Sequence, residues 1–188
     1  RAVPGVLAVA SSSSPPLRRG LNNWVIARGT PAGEAGASVE MRIVSPGYLE
    51  VLGASLLSGR DFGAADAASA PKVAIVNRRF AELYLPAGAA LGARIDVGGV
   101  EHEVVGISAD LREQSLREVA LPTVLVAQTQ TDPALQAAVN RWFGVHLLVR
   151  SAPGTAVDAA LRQGLQAIGH AAVPQQLQPL AALESTSV

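Results

Sequence analysis

Three histidines, His102, His146 and His170, are the side chains best suited to hold a metal or move a proton. They stand apart, and no His-x-x-x-His or Glu-x-x-His pair places two ligands on one helix face. His102 and His146 fall inside strand-like runs, where an imidazole serves as an ordinary partly buried or edge residue. Gly106-Ile107-Ser108-Ala109-Asp110 follows an apolar run and has the outline of a nucleophile elbow. Asp110 replaces the second glycine, and its side chain crowds the sharp turn such a serine needs, so the segment reads as a strand end with a turn-forming Ser108 and Asp110. Asp61 and Asp66 suggest calcium ligands, but Phe62, Gly63, Ala64 and Ala65 between them supply no side-chain oxygen. Arg60-Asp61 reads as a turn-stabilising ion pair or a backbone-capping pair. Gly98-Gly99 lacks the Gly-x-Gly-x-x-Gly spacing and Lys72 follows no glycine-rich loop, so no phosphate cradle is expected. Ser11 to Ser14 reads as a strand end and loop, and Trp24 and Trp142 suit core filling better than a ligand pocket. These patterns yield no catalytic, cofactor-binding or metal-binding residue.

Composition narrows the classes further. The 188 residues are 49% hydrophobic, enough for a real core. Fifteen basic residues balance fifteen acidic ones, which argues against nucleic acid as a partner and against a polybasic membrane patch. All the basic residues but Lys72 are arginines. There are no cysteines, so disulfides, thiolate metal sites and cysteine nucleophiles are excluded. No run reaches the roughly 18 apolar residues of a membrane span. With neither a signal peptide nor an initiating methionine, the chain reads as a piece cut from a longer protein.

The elements that would position these residues begin with strands at Val6 to Ala10, Trp24 to Ala27 and Val39 to Ile43, with a glycine-rich loop over 29–36. Val44 to Phe62 organises the chain. Ser45 is placed to cap a helix with Pro46 at its first position, and Gly53 to end it. Leu56-Leu57 then resumes an extended path to the Gly59-Arg60-Asp61 turn. Lys72 to Val76 is an interior strand, and Asn77 caps a helix over 78–85. Ile95 to Val104 is a hairpin turning on Gly98-Gly99. A helical turn is expected within 115–119, a strand at 122–126, a helix or lid-like loop over 131–142, and a strand at 145–150. The helix from Thr155 to Ile168 carries Val157, Leu161, Leu165 and Ile168 on one stripe, with Gly169 at its C-cap. A short strand near 176–178 and a helical turn at 180–184 finish the chain. The mixed order argues for an α+β fold rather than a doubly wound parallel sheet.

An ordered set of short motifs points to a family. Pro4-Gly5-Val6, Val44 to Gly53, Leu57-Ser58-Gly59-Arg60-Asp61-Phe62, Val73 to Asn77, Leu91-Gly92-Ala93-Arg94-Ile95 and Val104-Val105-Gly106-Ile107 belong to it. So do Asp110-Leu111-Arg112, Pro122-Thr123-Val124 and Leu148-Val149-Arg150. In order and spacing the set resembles the extracytoplasmic (periplasmic) core domain of MacB/FtsX-like ABC transporter permeases. The sequence departs from the pattern at Ala87, Gly88 and Ala89, where acidic residues often precede the Leu-Gly turn.

The resemblance implies a domain between two membrane helices, on the outer face of the inner membrane. It implies two lobes: a porter-like mixed α/β lobe from both chain ends, about 1–53 and 121–188, and an inserted strand-rich lobe, about 54–120. The partners implied are the membrane-embedded helices of the same permease, indirectly a cytoplasmic ATP-binding subunit, and a periplasmic partner protein or transported substrate. No cofactor is implied and no enzymatic activity. The function expected is to couple ATP-driven motion of the membrane helices to handling of substrate or partner outside. A free-standing module binding a ligand or peptide in a cleft between the lobes is the alternative, and a hydrolase built on Ser108 is a third reading.

Overall fold

A computed structural model of the chain describes residues 3–16, 18, 20–110, 120–168 and 178–179. Nine strands form one sheet: β1 Val6–Ser12, β2 Leu21–Ala27, β3 Ala37–Val44, β4 Leu56–Gly59, β5 Val73–Asn77, β6 Arg94–Val97, β7 Val100–Ser108, β8 Thr123–Ala127 and β9 His146–Ser151. The helices are α1 Pro31–Glu34, α2 Tyr48–Leu52, α3 Arg78–Tyr84, α4 Pro133–Phe143 and α5 Asp158–Ile168. The strand order is β2-β6-β7-β5-β8-β3-β1-β9, with β4 added to β7. Pairing is antiparallel except for β3 with β8 and β5 with β7. This is the α+β class the sequence led us to expect.

The sheet closes on itself. β2 pairs with β6 at one end of the order and with β3 further along it, so β2, β6, β7, β5, β8 and β3 form a ring of six strands. Alternation fills the ring: Val25 and Ala27, Val39, Met41 and Ile43, Ala74 and Val76, Ile95 and Val97, Val104, and Val124 and Val126 share one buried cluster. Phe80 of α3, Leu85 just beyond it and Val139 of α4 complete that core. A second cluster covers the opposite faces of β5 and β8, where Val73, Ile75, Leu125 and Ala127 meet Tyr48 and Leu49 of α2, Ala10, Val44 and Phe62. β1 and β9 lie outside the ring as a two-stranded antiparallel ribbon, joined to β3 at Ser12 and Val44.

Local sequence accounts for most element ends. The β6–β7 hairpin turns at Gly98 and Gly99, both at positive φ (61° and 88°), and Asp96 Oδ1 accepts the Gly99 N–H at 2.7 Å. Asn77 caps α3 by accepting from Phe80 N at 3.0 Å. Gly59 has φ 78°, and a Cβ there would lie 2.2 Å from the Val105 carbonyl oxygen, so β4 can approach β7 only with glycine at this position.

Several expectations are corrected. Pro46 is not in the helix: Gly47, at φ 82°, occupies the N-cap position of α2 without a side-chain bond. Ser45 caps nothing, because its Oγ instead accepts the Ser11 N–H at 2.9 Å and ties β3 to β1. The expected loop over 29–36 contains α1, capped by Thr30 with Pro31 at its first position. Of the two readings of residues 131–142, helix or lid-like loop, the helix is the one present: α4 runs over Pro133–Phe143, with Asp132 accepting from Ala134 N and Leu135 N at its cap.

The division into lobes at about 53/54 and 120/121 is not where the packing divides. β5 pairs directly with β8, β2 with β6, and both core clusters draw residues from both expected lobes. Tyr48 and Leu49 share a cluster with Phe62 and Val73, so Val44 to Phe62 does not split into one half per lobe. The helical turn at 115–119, the strand at 176–178 and the turn at 180–184 fall wholly or mainly outside the described residues, as does Gly169.

Candidate functional site

The residues with chemical potential are dispersed, and each has a local task. Ser108 is buried on β7, with Leu56 and Asn77 as its cross-strand partners and no histidine beside it in register. Asp110 bonds the start of α3, accepting from Arg79 N at 2.8 Å and pairing with Arg78 at 2.9 Å. His102 is buried opposite Ile95, with Nδ1 2.9 Å from the Val100 carbonyl; burial pushes its pKa below the ordinary 6.5. His146 lies opposite Ser12, with Nε2 2.9 Å from the Phe143 carbonyl. His170 lies outside the described residues. Among the described residues no three His, Asp or Glu side chains converge to hold a metal.

Of the two readings of Arg60-Asp61, ion pair or backbone-capping pair, the second is present: Arg60 donates to the Asp61 carbonyl at 3.2 Å and the Asp61 carboxylate accepts from Phe62 N at 2.7 Å. Arg60 makes a two-pronged contact with the buried Asp66, both bonds at 2.8 Å, and Asp66 also accepts from Gly63 N at 2.8 Å. Arg60 holds the Asp66 carboxyl below the usual carboxylate range. Desolvation raises the Asp61 pKa. Gln130 secures the loop that follows: Nε2 donates to the Ala67 and Pro71 carbonyls, while Oε1 accepts from Val73 N at 2.9 Å. Lys72 Nζ donates to the Gln130 carbonyl, so the single lysine is a tether. Trp24 and Trp142 are both exposed rather than core residues.

The one place where many elements converge is the junction of ring and ribbon. Ser45 N donates to Ser11 O at 3.0 Å, Ser13 N to Ile43 O at 3.0 Å, and Ile43 N to Ser13 Oγ at 3.1 Å. The serine run therefore sews the end of β3 to the ribbon. On the outer face of β3, Glu40 and Arg42 are buried, Arg42 completely. Arg42 donates to Ser14 Oγ at 2.6 Å and to the carbonyls of Ser14, Pro15 and Arg18 at 2.8–3.1 Å. Its Nη2 lies 3.7 Å from Glu40 Oε1, which also accepts from Gly20 N. The chain leaving β1 is thus wrapped around a buried charge pair on the ring. α2 rests on the inner face of the ribbon, where Arg150 of β9 donates to the Glu50 carbonyl at 3.0 Å.

Beside this junction lies a shallow, partly open niche, lined by Ser11, Ser13, Gln128, Gln136, Asn140 and Val145 among others. Gln136 Nε2 donates to Asn140 Oδ1 at 2.7 Å, while its Oε1 is buried without a protein partner. Sequence reasoning missed Glu40, Arg42 and Gln130. On an alternating strand, Glu40 and Arg42 carry the signature of a solvent face, and only the wrapped segment makes them internal. The arrangement offers no nucleophile with a base; it offers a hydrogen-bonded joint between a rigid ring and a ribbon.

Comparison with known proteins matches the model of the MacB-like periplasmic core domain to residues 1–166. No match is found among curated proteins. The fold is similar to the periplasmic region of MacB from Actinobacillus actinomycetemcomitans, at TM-score 0.59 and 13% identity, covering 88% of this chain and 67% of that one. It is also similar to the extracellular domain of the noncanonic ABC-type transporter YknZ from Gram-positive bacteria, at TM-score 0.56 and 16% identity, covering 88% of this chain and 75% of that one. No helix among the described residues is long and apolar enough to cross a membrane.

Proposed function

The chain belongs to the family of MacB-like periplasmic core domains, and from that premise we propose that it works as the extracytoplasmic relay of an ABC transporter permease. Its place is the outer side of the inner membrane, attached to the membrane helices of its own permease. In this reading, ATP-driven motion of those helices enters through the ribbon and is delivered by the ring to a substrate or partner protein outside. The observation that supports it is the junction: the ribbon joins the ring through one strand pairing, Ser12 with Val44, reinforced by the serine bonds and by α2. Such a joint can shift as a unit while the closed ring keeps its shape.

The test uses the intact permease with its ATP-binding subunit. This chain has no cysteine, so Ser12→Cys with Val44→Cys introduces the only cysteine pair of this domain, at neighbouring strand positions, into a permease otherwise freed of cysteine. The rate of disulfide formation should differ between ATP-bound and nucleotide-free transporter, and closing the bond should lower ATP turnover until reductant is added. Identical rates in both states, with unchanged turnover once cross-linked, would overturn the relay.

A further inference from the structure

Exposed apolar side chains concentrate on the ribbon and α4. Among the described residues, seven of the twelve large hydrophobics left exposed lie on β1, on α4 or in the passage from α4 into β9. Antiparallel pairing sets Val9 opposite Val149 and Ser11 opposite Leu147, so Leu7, Val9, Ser11 and Leu147 share the outer face of the ribbon, away from α2. Gln136 and Asn140 of α4 line the same niche as Ser11, which places α4 on that outer face too. At the Ser12–His146 end of the ribbon Trp142 is 83% exposed and Val145 61%, with Phe143 also exposed, while Leu7, 60% exposed, lies toward the other end of the same face. Soluble monomers rarely leave so much clustered apolar surface uncovered.

Charge is segregated in the same region. Residues 6–12 and 133–151, which supply the ribbon and α4, contain two arginines, Arg141 and Arg150, and no aspartate or glutamate, although acidic and basic residues balance over the whole chain. Asp132, just outside, is spent capping α4 at the end away from Trp142. Arg141, next to Trp142, is exposed and has no ion-pair partner among the described residues. An exposed tryptophan flanked by apolar side chains and an uncommitted arginine is the chemistry of a membrane interface.

We propose that this face, formed by the ribbon's outer side and the C-terminal turn of α4, rests on the surface of an anionic phospholipid bilayer. The apolar side chains enter the headgroup boundary and Arg141 pairs with lipid phosphate. The inference rests on the family's position beside a membrane and not on the relay reading, so vesicle binding and cross-linking kinetics can fail separately.

The chain carrying Trp24→Phe leaves Trp142 as its only tryptophan. Mixed with vesicles of phosphatidylethanolamine and phosphatidylglycerol, it should sediment with them, and its emission should shift to the blue. Phosphatidylcholine vesicles should capture far less, and added salt should release bound protein. In the otherwise native chain, Trp142→Ala should weaken partitioning about tenfold, and Arg141→Gln about fivefold, with a shallower salt dependence. Both positions are exposed, and an unchanged thermal melt would verify the fold of each variant. Failure of the native chain to bind anionic vesicles at low salt, or binding indifferent to Trp142→Ala, would overturn the proposal. So would a concentration-dependent dimer that Trp142→Ala abolishes in a chain that ignores vesicles, since the face would then belong to a second copy.

Discussion

In the ring every strand has a neighbour on each side, and its inward side chains are sealed from water. In the ribbon, β9 ends the sheet among the described residues, and Leu7, Val9 and Leu147 remain exposed. Both are built from β-branched and leucine-rich strands, so composition does not separate them. Closure does: a ring satisfies both edges of each strand and encloses one face completely, whereas a ribbon covered on one side by α2 must show the other. The stiff part of the molecule and the part with surface left to engage something else are therefore made from similar sequence, distinguished only by pairing.

The contrast can be broken or sharpened by substitution. Phe80→Ala, at a buried plug of the ring, should cost about 3–5 kcal/mol in denaturant unfolding, the range for deleting a buried aromatic. A loss below about 1 kcal/mol would mean the ring is not the rigid half. Arg42→Met should cost nearly as much, about 3 kcal/mol, because it strands the Glu40 carboxylate in the interior and releases the carbonyls of Ser14, Pro15 and Arg18. Limited proteolysis should then cut within 14–20 before it cuts any ring strand.

Acidity acts on the ring in a separate window. The buried His102 has a folded pKa below its ordinary 6.5, so the unfolded chain binds the proton more readily. The stability this residue allows is complete above 6.5 and falls as pH drops from there toward the folded value. His102→Leu should flatten that part of a stability-against-pH curve measured by denaturant unfolding. Asp66 is shifted in the same direction by a different cause: held below its ordinary 3.8 by Arg60, it contributes stability above that value and loses it as pH falls through its lower folded value. Smallest of all, Leu147→Ala on the outer face of the ribbon should change stability by no more than about 0.5 kcal/mol. A large loss there would show that the ribbon face is packed rather than open.

Much of the fold was legible because it is written in local chemistry. The Gly98-Gly99 hairpin, the Asn77 cap and the Gly53 stop each depend on a residue and its immediate neighbours, and each is present. What could not be read depends on distant partners. Ser45 looked like a helix cap because nothing near it reveals that Ser11 will take its hydroxyl. Arg60 was matched with the adjacent Asp61, but its fork reaches Asp66 across a turn. Glu40 and Arg42 alternate with apolar residues as solvent-facing charges do, and only Ser14, Pro15, Arg18 and Gly20 closing over them reverse that meaning. The ring escaped notice for the same reason: its closure rests on β2 meeting β6 and β3 meeting β8, neither of which leaves a periodicity in the chain.

The pairing of β3 with β8 has a consequence in time. Glu40 and its cross-strand partner Thr123 are separated by roughly 80 residues, so this edge of β3 stays open until most of the domain has been synthesised and delivered. At the usual synthesis rate that interval is several seconds, long compared with the roughly microsecond scale on which a hairpin such as β6–β7 forms. β3 therefore spends its early life as an uncapped apolar strand carrying an arginine and a glutamate. Those two charges, so costly to bury at the end, keep the nascent strand soluble and discourage it from joining a stranger's sheet while it waits.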